Sequence, residues 1–188
     1  MKKEFDGKNL GESASHLRQA YTYMIGTYKE DGSVNFALAN WSGTIMADGE
    51  FVFLMKRDHK SFDDILARMA FTLYLTETAT LMKLDYQKLK KGNITADDLA
   101  QIGLQFVKST RVNAPLVEEF PLILECTFDR IYDEDAYGVV LVCNIVNMAV
   151  DEYLLNNRGT LYFSDTLRQL YIRLMHYYIH GEKHLWEK

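Results

Sequence analysis

The stretch from Tyr21 to Trp41, YTYMIGTYKEDGSVNFALANW, limits the fold more than any other part of this chain. Two runs rich in aromatic and branched side chains, Tyr21 to Tyr28 and Val34 to Trp41, flank Lys29-Glu30-Asp31-Gly32-Ser33. Asp-Gly between two such runs signals a β-hairpin, because both positions tolerate positive φ. A third apolar run, Phe51 to Lys56, follows a second turn at Ala47-Asp48-Gly49-Glu50. Three consecutive antiparallel strands are therefore expected.

The rest of the sequence extends this pattern. Ser61-Phe62-Asp63-Asp64 predicts a short helix running to about Met69, with Ser61 as N-cap and an acidic residue three positions on. Phe71 to Leu75 returns to strand texture. Leu81, Met82, Leu84, Tyr86 and Leu89 fall at helical spacings between Thr78 and Lys90, and Thr95-Ala96-Asp97-Asp98 caps a helix expected to reach about Phe106. Leu122 to Tyr132 and Gly138 to Val150 read as two long strands joined by an acidic turn, and Thr166 to His180 has helical spacing. Strands at both ends with helices between them predict a mainly β fold, an antiparallel barrel with helical insertions, and not a βαβ series.

Composition bounds the function. With 48% hydrophobic and 25% charged residues among 188, and only two prolines, the chain reads as one domain over residues 1–188 with no long linker. A net charge of −5 argues against a nucleic-acid partner, since a polyphosphate calls for a basic excess. No run of eighteen apolar residues and no secretory leader stand in the sequence, so a cytoplasmic protein without a membrane partner is expected. Cys126 and Cys143 are too few for a disulfide framework and read as free thiols. His176, His180 and His184 recur every four residues, but Gly181 interrupts the helix and further ligands are missing, so no metal site is assigned.

Two segments carry candidate chemistry. Lys56-Arg57-Asp58-His59-Lys60 places three permanent cations and a histidine just ahead of a helix start, which already carries partial positive charge and exposed N–H groups. An anion resolves that conflict: backbone donors, the Ser61 hydroxyl, Arg57 and Lys60 make a candidate phosphate site, against the plainer reading of a solvated basic turn. The second segment is Ala39-Asn40-Trp41-Ser42-Gly43, where small and polar residues end a strand, Gly43 permits close approach and backbone groups are free to pair with the edge of a flat ring. Together they suit a flat heteroaromatic ligand with a phosphorylated tail.

The order of these segments resembles the flavin reductase-like family of FMN-binding split barrels, the group that includes flavoredoxin. The similarity rests on Gly32 and Asn35, on Asn40 to Gly43, on Arg57 to Ser61, on Pro115-Leu116-Val117 and on Leu124-Glu125-Cys126, and it spans most of residues 20 to 150. Asp48-Gly49-Glu50 replaces the family's usual Pro-Pro, and the lysine-rich Lys83 to Lys91 replaces its Ser-Gly loop. The resemblance implies a Greek-key split barrel that binds FMN at a homodimer interface. Ala39, Asn40, Trp41, Ser42 and Gly43 would line the isoalloxazine ring; Arg57, His59, Lys60 and Ser61 would hold the phosphate. It further implies NAD(P)H as electron donor and a small-molecule substrate. No catalytic base is assigned, because the cofactor carries the chemistry. A non-catalytic FMN-binding electron carrier and a flavin-free barrel acting in assembly are the alternatives that the sequence leaves open.

Overall fold

A computed structural model describes residues 2–11, 22–40, 43–45, 48–75, 80, 83–135 and 138–162. β1 (Lys2–Asp6) leads into a 3-10 turn at Gly7–Asn9. The expected hairpin follows as β2 (Thr22–Tyr28) and β3 (Val34–Asn40), with Gly32 at φ 82° in its turn. β4 (Gly43–Ile45) and β5 (Glu50–Met55) form the next antiparallel pair. Helix α1 (Lys60–Arg68) leads directly into β6 (Ala70–Leu75). Two short helices, α2 (Tyr86–Lys91) and α3 (Ala96–Gln101), and a small ribbon of β7 (Val107–Lys108) and β8 (Pro115–Leu116) come next. The long strands β9 (Leu122–Glu134) and β10 (Val139–Asp151) complete the described sheet.

The sheet order is β3-β2-β6-β9-β10-β5-β4, every pair antiparallel, with β1 added on β10. β10 is long enough to carry two neighbours on one edge: Val139 to Asn144 pair with β5, and Asn147 to Asp151 pair with β1. Three register shifts in the β9–β10 ladder bend this pair, as bulges do. β3 and β4 stand at opposite ends of the order, yet Asn40 and Gly43 are three peptide steps apart, at most about 11 Å of chain. The sheet must therefore curl until its ends meet. The fold is the mainly β, antiparallel split barrel with helical insertions that the sequence predicted.

Inside, Phe51, Phe53 and Phe71 pack with ring centroids 5.8 to 6.2 Å apart, and Tyr74 packs on Phe36 and Phe120. α1 turns Phe62 and Ile65 into this core and leaves Asp63 exposed. It ends where Met69 takes the left-handed conformation, φ 55°, and donates its N–H to the Ile65 carbonyl at 2.7 Å.

Several sequence expectations need correction. α2 starts at Tyr86, with Asp85 accepting from the Lys88 N–H at 2.8 Å, so Lys83 to Asp85 form a turn where helix was expected. α3 has the predicted Thr95 and Asp98 capping box but stops near Gln101, because Gly103 at φ 82° closes it and Leu104 donates to the Leu99 carbonyl at 3.0 Å. β1, β4, β7 and β8 were not anticipated. The predicted tail helix and the three histidines at its end lie outside the described residues.

Candidate functional site

The turn after β5 brings the basic segment to the start of α1, where His59 donates its N–H to the Lys56 carbonyl at 3.1 Å. The cap is His59 and not Ser61, which corrects the sequence expectation: His59 has extended backbone, φ −73° and ψ 122°, and its Nδ1 accepts the Ser61 N–H at 3.3 Å. Ser61 belongs to the first helical turn, where its side chain faces the sheet. It is fully buried, and its Oγ accepts from Asn35 Nδ2 at 3.4 Å. With Nδ1 as acceptor, the ring proton sits on Nε2 and donates to the Leu38 carbonyl of β3 at 3.3 Å. Burial pushes the His59 pKa down, opposed by the Leu38 hydrogen bond and by the charge of Asp58, so the ring is held neutral.

The two candidate cations have partners from elsewhere in the chain. The Arg57 guanidinium pairs with the Glu134 carboxylate at the end of β9 and lies 5.2 Å from the centroid of the Phe62 ring. Lys60 Nζ donates to Asn93 Oδ1 at 2.7 Å. Gly92 closes α2 at φ 69° against this same spot: a Cβ there would stand 3.2 Å from Ala37 Cβ, 3.6 Å from Lys60 Cβ and 3.8 Å from His59 Cε1. Ile94 then pairs with Phe36 through both backbone bonds, 2.9 and 3.1 Å, which lays the segment after α2 along β3.

Beneath the helix, Asp64 Oδ2 accepts from Thr27 Oγ1 and Asn35 Nδ2, both at 3.1 Å, so one carboxylate ties α1 to β2 and β3. Asn35 Oδ1 is buried with no protein partner. Sequence reasoning missed Thr27, Asn93 and Glu134, and it named Asp64 only as the acidic residue of an N-cap at Ser61, whereas its carboxylate accepts from Thr27 and Asn35. The signal for this cluster was Asn35, an asparagine between Val34 and Phe36 that interrupts an apolar strand.

Of the residues predicted to line a ring, Ala39 and Asn40 end β3 opposite Tyr23 and Thr22, and Gly43 opens β4 opposite Phe53. Trp41 and Ser42 lie outside the described residues. The predicted strand end and the predicted phosphate turn are thus in one neighbourhood, joined by the bond from His59 to Leu38. The neighbourhood lies at the seam where β3 approaches β4.

Two open clefts occur elsewhere. One, of about 610 Å³, is lined by Asp6, Asp48 and Glu50 with Lys8; the other, of about 510 Å³, by Glu4, Glu118, Glu119, Glu125 and Asp151 with Lys2. Both carry an excess of carboxylates, which disfavours an anion there. Cys126 and Cys143 are free and buried, and burial raises both thiols far from nucleophilic range, which leaves them as small core residues. Among the described residues no cluster of metal-ligating side chains occurs.

No family model and no curated protein matches the sequence. Solved structures do match in shape. The fold is that of flavin reductase-like split barrels: an FMN-binding domain of a flavin reductase-like enzyme from Shewanella baltica OS155 superposes with a TM-score of 0.65 over 87% of this chain and 83% of that one, at 16% identity. Flavoredoxin of Desulfovibrio vulgaris (Miyazaki F) is similar at a TM-score of 0.60, with 24% identity over 76% of this chain and 75% of its own. Flavoredoxin from Methanosarcina acetivorans gives 0.59, with 18% identity over 76% and 74%. The resemblance noted from the sequence motifs therefore extends to the architecture.

Proposed function

We propose that this chain is an FMN-binding, flavin reductase-like oxidoreductase that uses NAD(P)H as electron donor and passes electrons to free flavin or to a small acceptor. The observation that carries the reading is the set of donors at the start of α1, Arg57, Lys60 and the Ser61 N–H, with His59 as the cap that ties them to the end of β3. These groups match a phosphate in charge and in hydrogen-bonding sense. An FMN-binding domain of a flavin reductase-like enzyme with the same fold supports it.

In this reading Arg57, His59, Lys60 and Ser61 hold the phosphate, Ser61 through its backbone N–H because its hydroxyl is turned inward. Ala39, Asn40, Trp41, Ser42 and Gly43 line the isoalloxazine ring at the barrel seam. Bound FMN supplies the hydride-transfer chemistry, and the chain supplies binding and orientation. One phosphate cluster favours FMN over FAD, which needs a second group for its pyrophosphate. A second copy of the chain is expected to complete the site as a homodimer.

The test is the visible spectrum of the purified protein with and without added FMN, mass spectrometry of the ligand released on denaturation, and NADH or NADPH oxidation by the loaded protein. Bound FMN with turnover supports the proposal. FAD as the released ligand contradicts the phosphate argument, FMN without turnover leaves an electron carrier, and a protein that stays colourless with added FMN refutes the flavin reading.

A further inference from the structure

Every donor in the proposed phosphate cluster is already engaged by an acceptor of the chain itself. Glu134 takes Arg57, Asn93 takes Lys60, and His59 Nδ1 takes the Ser61 N–H. The first two acceptors belong to exposed side-chain pairs that exchange readily with solvent. The third differs, because it is a titratable ring locked in one protonation state by its neighbours.

Protonation in the observed geometry would place an Nδ1–H against the Ser61 N–H, donor facing donor, while Nε2–H already donates to Leu38. Among the described residues, these groups stand nearest the ring in sequence or in contact. Asp58 and Lys60 flank it in sequence, Arg57 lies one residue further, β3 presents the Leu38 carbonyl, and Gly92, preceded by Lys91, lies against Cε1. Asp58 raises the ring pKa through its charge, but burial, the larger effect, outweighs it, and the unliganded ring stays neutral.

We propose that His59 is a displaceable cap: an incoming phosphate takes the Ser61 N–H from it, and the freed Nδ1 takes a proton from solvent and donates to the anion. This rests on the flavin reading above and adds to it that binding is coupled to uptake of one proton. The sign follows from linkage. The ring pKa is low without ligand and higher beside a dianion, so affinity rises as the pH falls through the bound-state pKa and levels off below the unliganded one.

The experiment is titration of FMN into wild type and His59→Asn between pH 6.5 and 8.5, with riboflavin, which lacks the phosphate, as a second probe. Asparagine is among the best N-caps and does not titrate, so the variant keeps the helix start. For wild type the dissociation constant of FMN is expected to fall about tenfold toward pH 6.5, up to tenfold being allowed per pH unit for one proton. His59→Asn and riboflavin should lack this slope. In parallel, NMR titration of the His59 ring should give a higher pKa with excess FMN than without. Tight FMN binding with the same pH dependence in wild type and His59→Asn, or a ring pKa unmoved by FMN, overturns the displaceable cap and leaves the flavin reading standing. Absence of FMN binding at every pH overturns both.

Discussion

Arg57→Ala and Lys60→Ala separate an anion site from a solvated basic turn, because the two readings predict opposite balances of stability and affinity. In the unliganded chain Arg57 is 58% exposed and Glu134 43%, so their ion pair contributes at most about 1 kcal/mol. The bond from Lys60 to Asn93 is an exposed one of about 0.5–1 kcal/mol. Against these stands the repulsion of each cation by the positive end of α1, about 0.3–1 kcal/mol. Arg57 also stands over the Phe62 ring, worth about 0.5–1 kcal/mol; the terms largely offset, and urea unfolding of either variant should stay within about 1 kcal/mol of wild type. Affinity should behave differently. Each cation makes a charge-assisted hydrogen bond to the phosphate worth about 1.5–3 kcal/mol, so each substitution should weaken FMN about ten- to a hundredfold in a fluorescence-quenching titration. Glu134→Gln removes the charge that competes for Arg57 and should tighten FMN, by no more than about fivefold, the equivalent of the exposed ion pair. Equal dissociation constants for wild type, Arg57→Ala and Lys60→Ala would eliminate the phosphate site.

Three further outcomes are expected. Tyr74→Phe deletes a hydroxyl that donates to the Pro115 carbonyl at 2.7 Å and accepts the Val117 N–H at 3.3 Å; the buried N–H left behind should cost about 1–3 kcal/mol in urea unfolding, and a loss below 0.5 kcal/mol would show that the contact contributes little. The unliganded protein should lose stability as the pH drops below the ordinary imidazole range, since burial lowers the folded pKa of His59 and the unfolded chain then binds the extra proton; His59→Asn should flatten that part of the profile, and an unchanged profile speaks against a neutral His59. Exposed Leu54 on β5, with Ile131 and Tyr132 on β9, motivates the homodimer, which light scattering at micromolar concentration should show as twice the chain mass; a monomer mass removes it.

The fold was legible where pattern and turn chemistry agreed. Asp31-Gly32 between two aromatic runs, the Thr95 and Asp98 capping box, and the two thirteen-residue strands all stood in the sequence. β1 was not legible because Lys2, Lys3 and Glu4 give it little apolar content, and what holds it is the ladder to β10 and the Lys2–Asp151 ion pair at 3.0 Å. Helix ends failed where a left-handed glycine overrode apolar spacing, as at Gly103. At the site, the cluster of charge at Lys56 to Lys60 was visible, but its partners were not, since Glu134 lies 77 positions from Arg57 and Asn93 lies 33 from Lys60. Only the barrel brings them together. Ser61 was misjudged as the cap because serine is a common capping residue, whereas the burial of position 61 against Asn35 depends on how α1 sits on the sheet.

The way α1 is seated also explains how a chain tolerates cations at the positive end of a helix before any ligand arrives. Asp64 holds the helix to β2 and β3, the N-cap His59 ties its start to Leu38, and at the other end Arg68 donates to the carbonyls of Lys29 and Glu30. With the helix fixed, its start has a defined set of unsatisfied donors, and acceptors from β9, from the segment after α2 and from the cap residue itself take them. A phosphate offers oxygens for the same three donors plus a negative charge that neutral Asn93 and neutral His59 lack. In the proposed flavin site, binding exchanges acceptors on a frame that does not need to move, and the cost of ordering the site is borne by folding, not by the ligand.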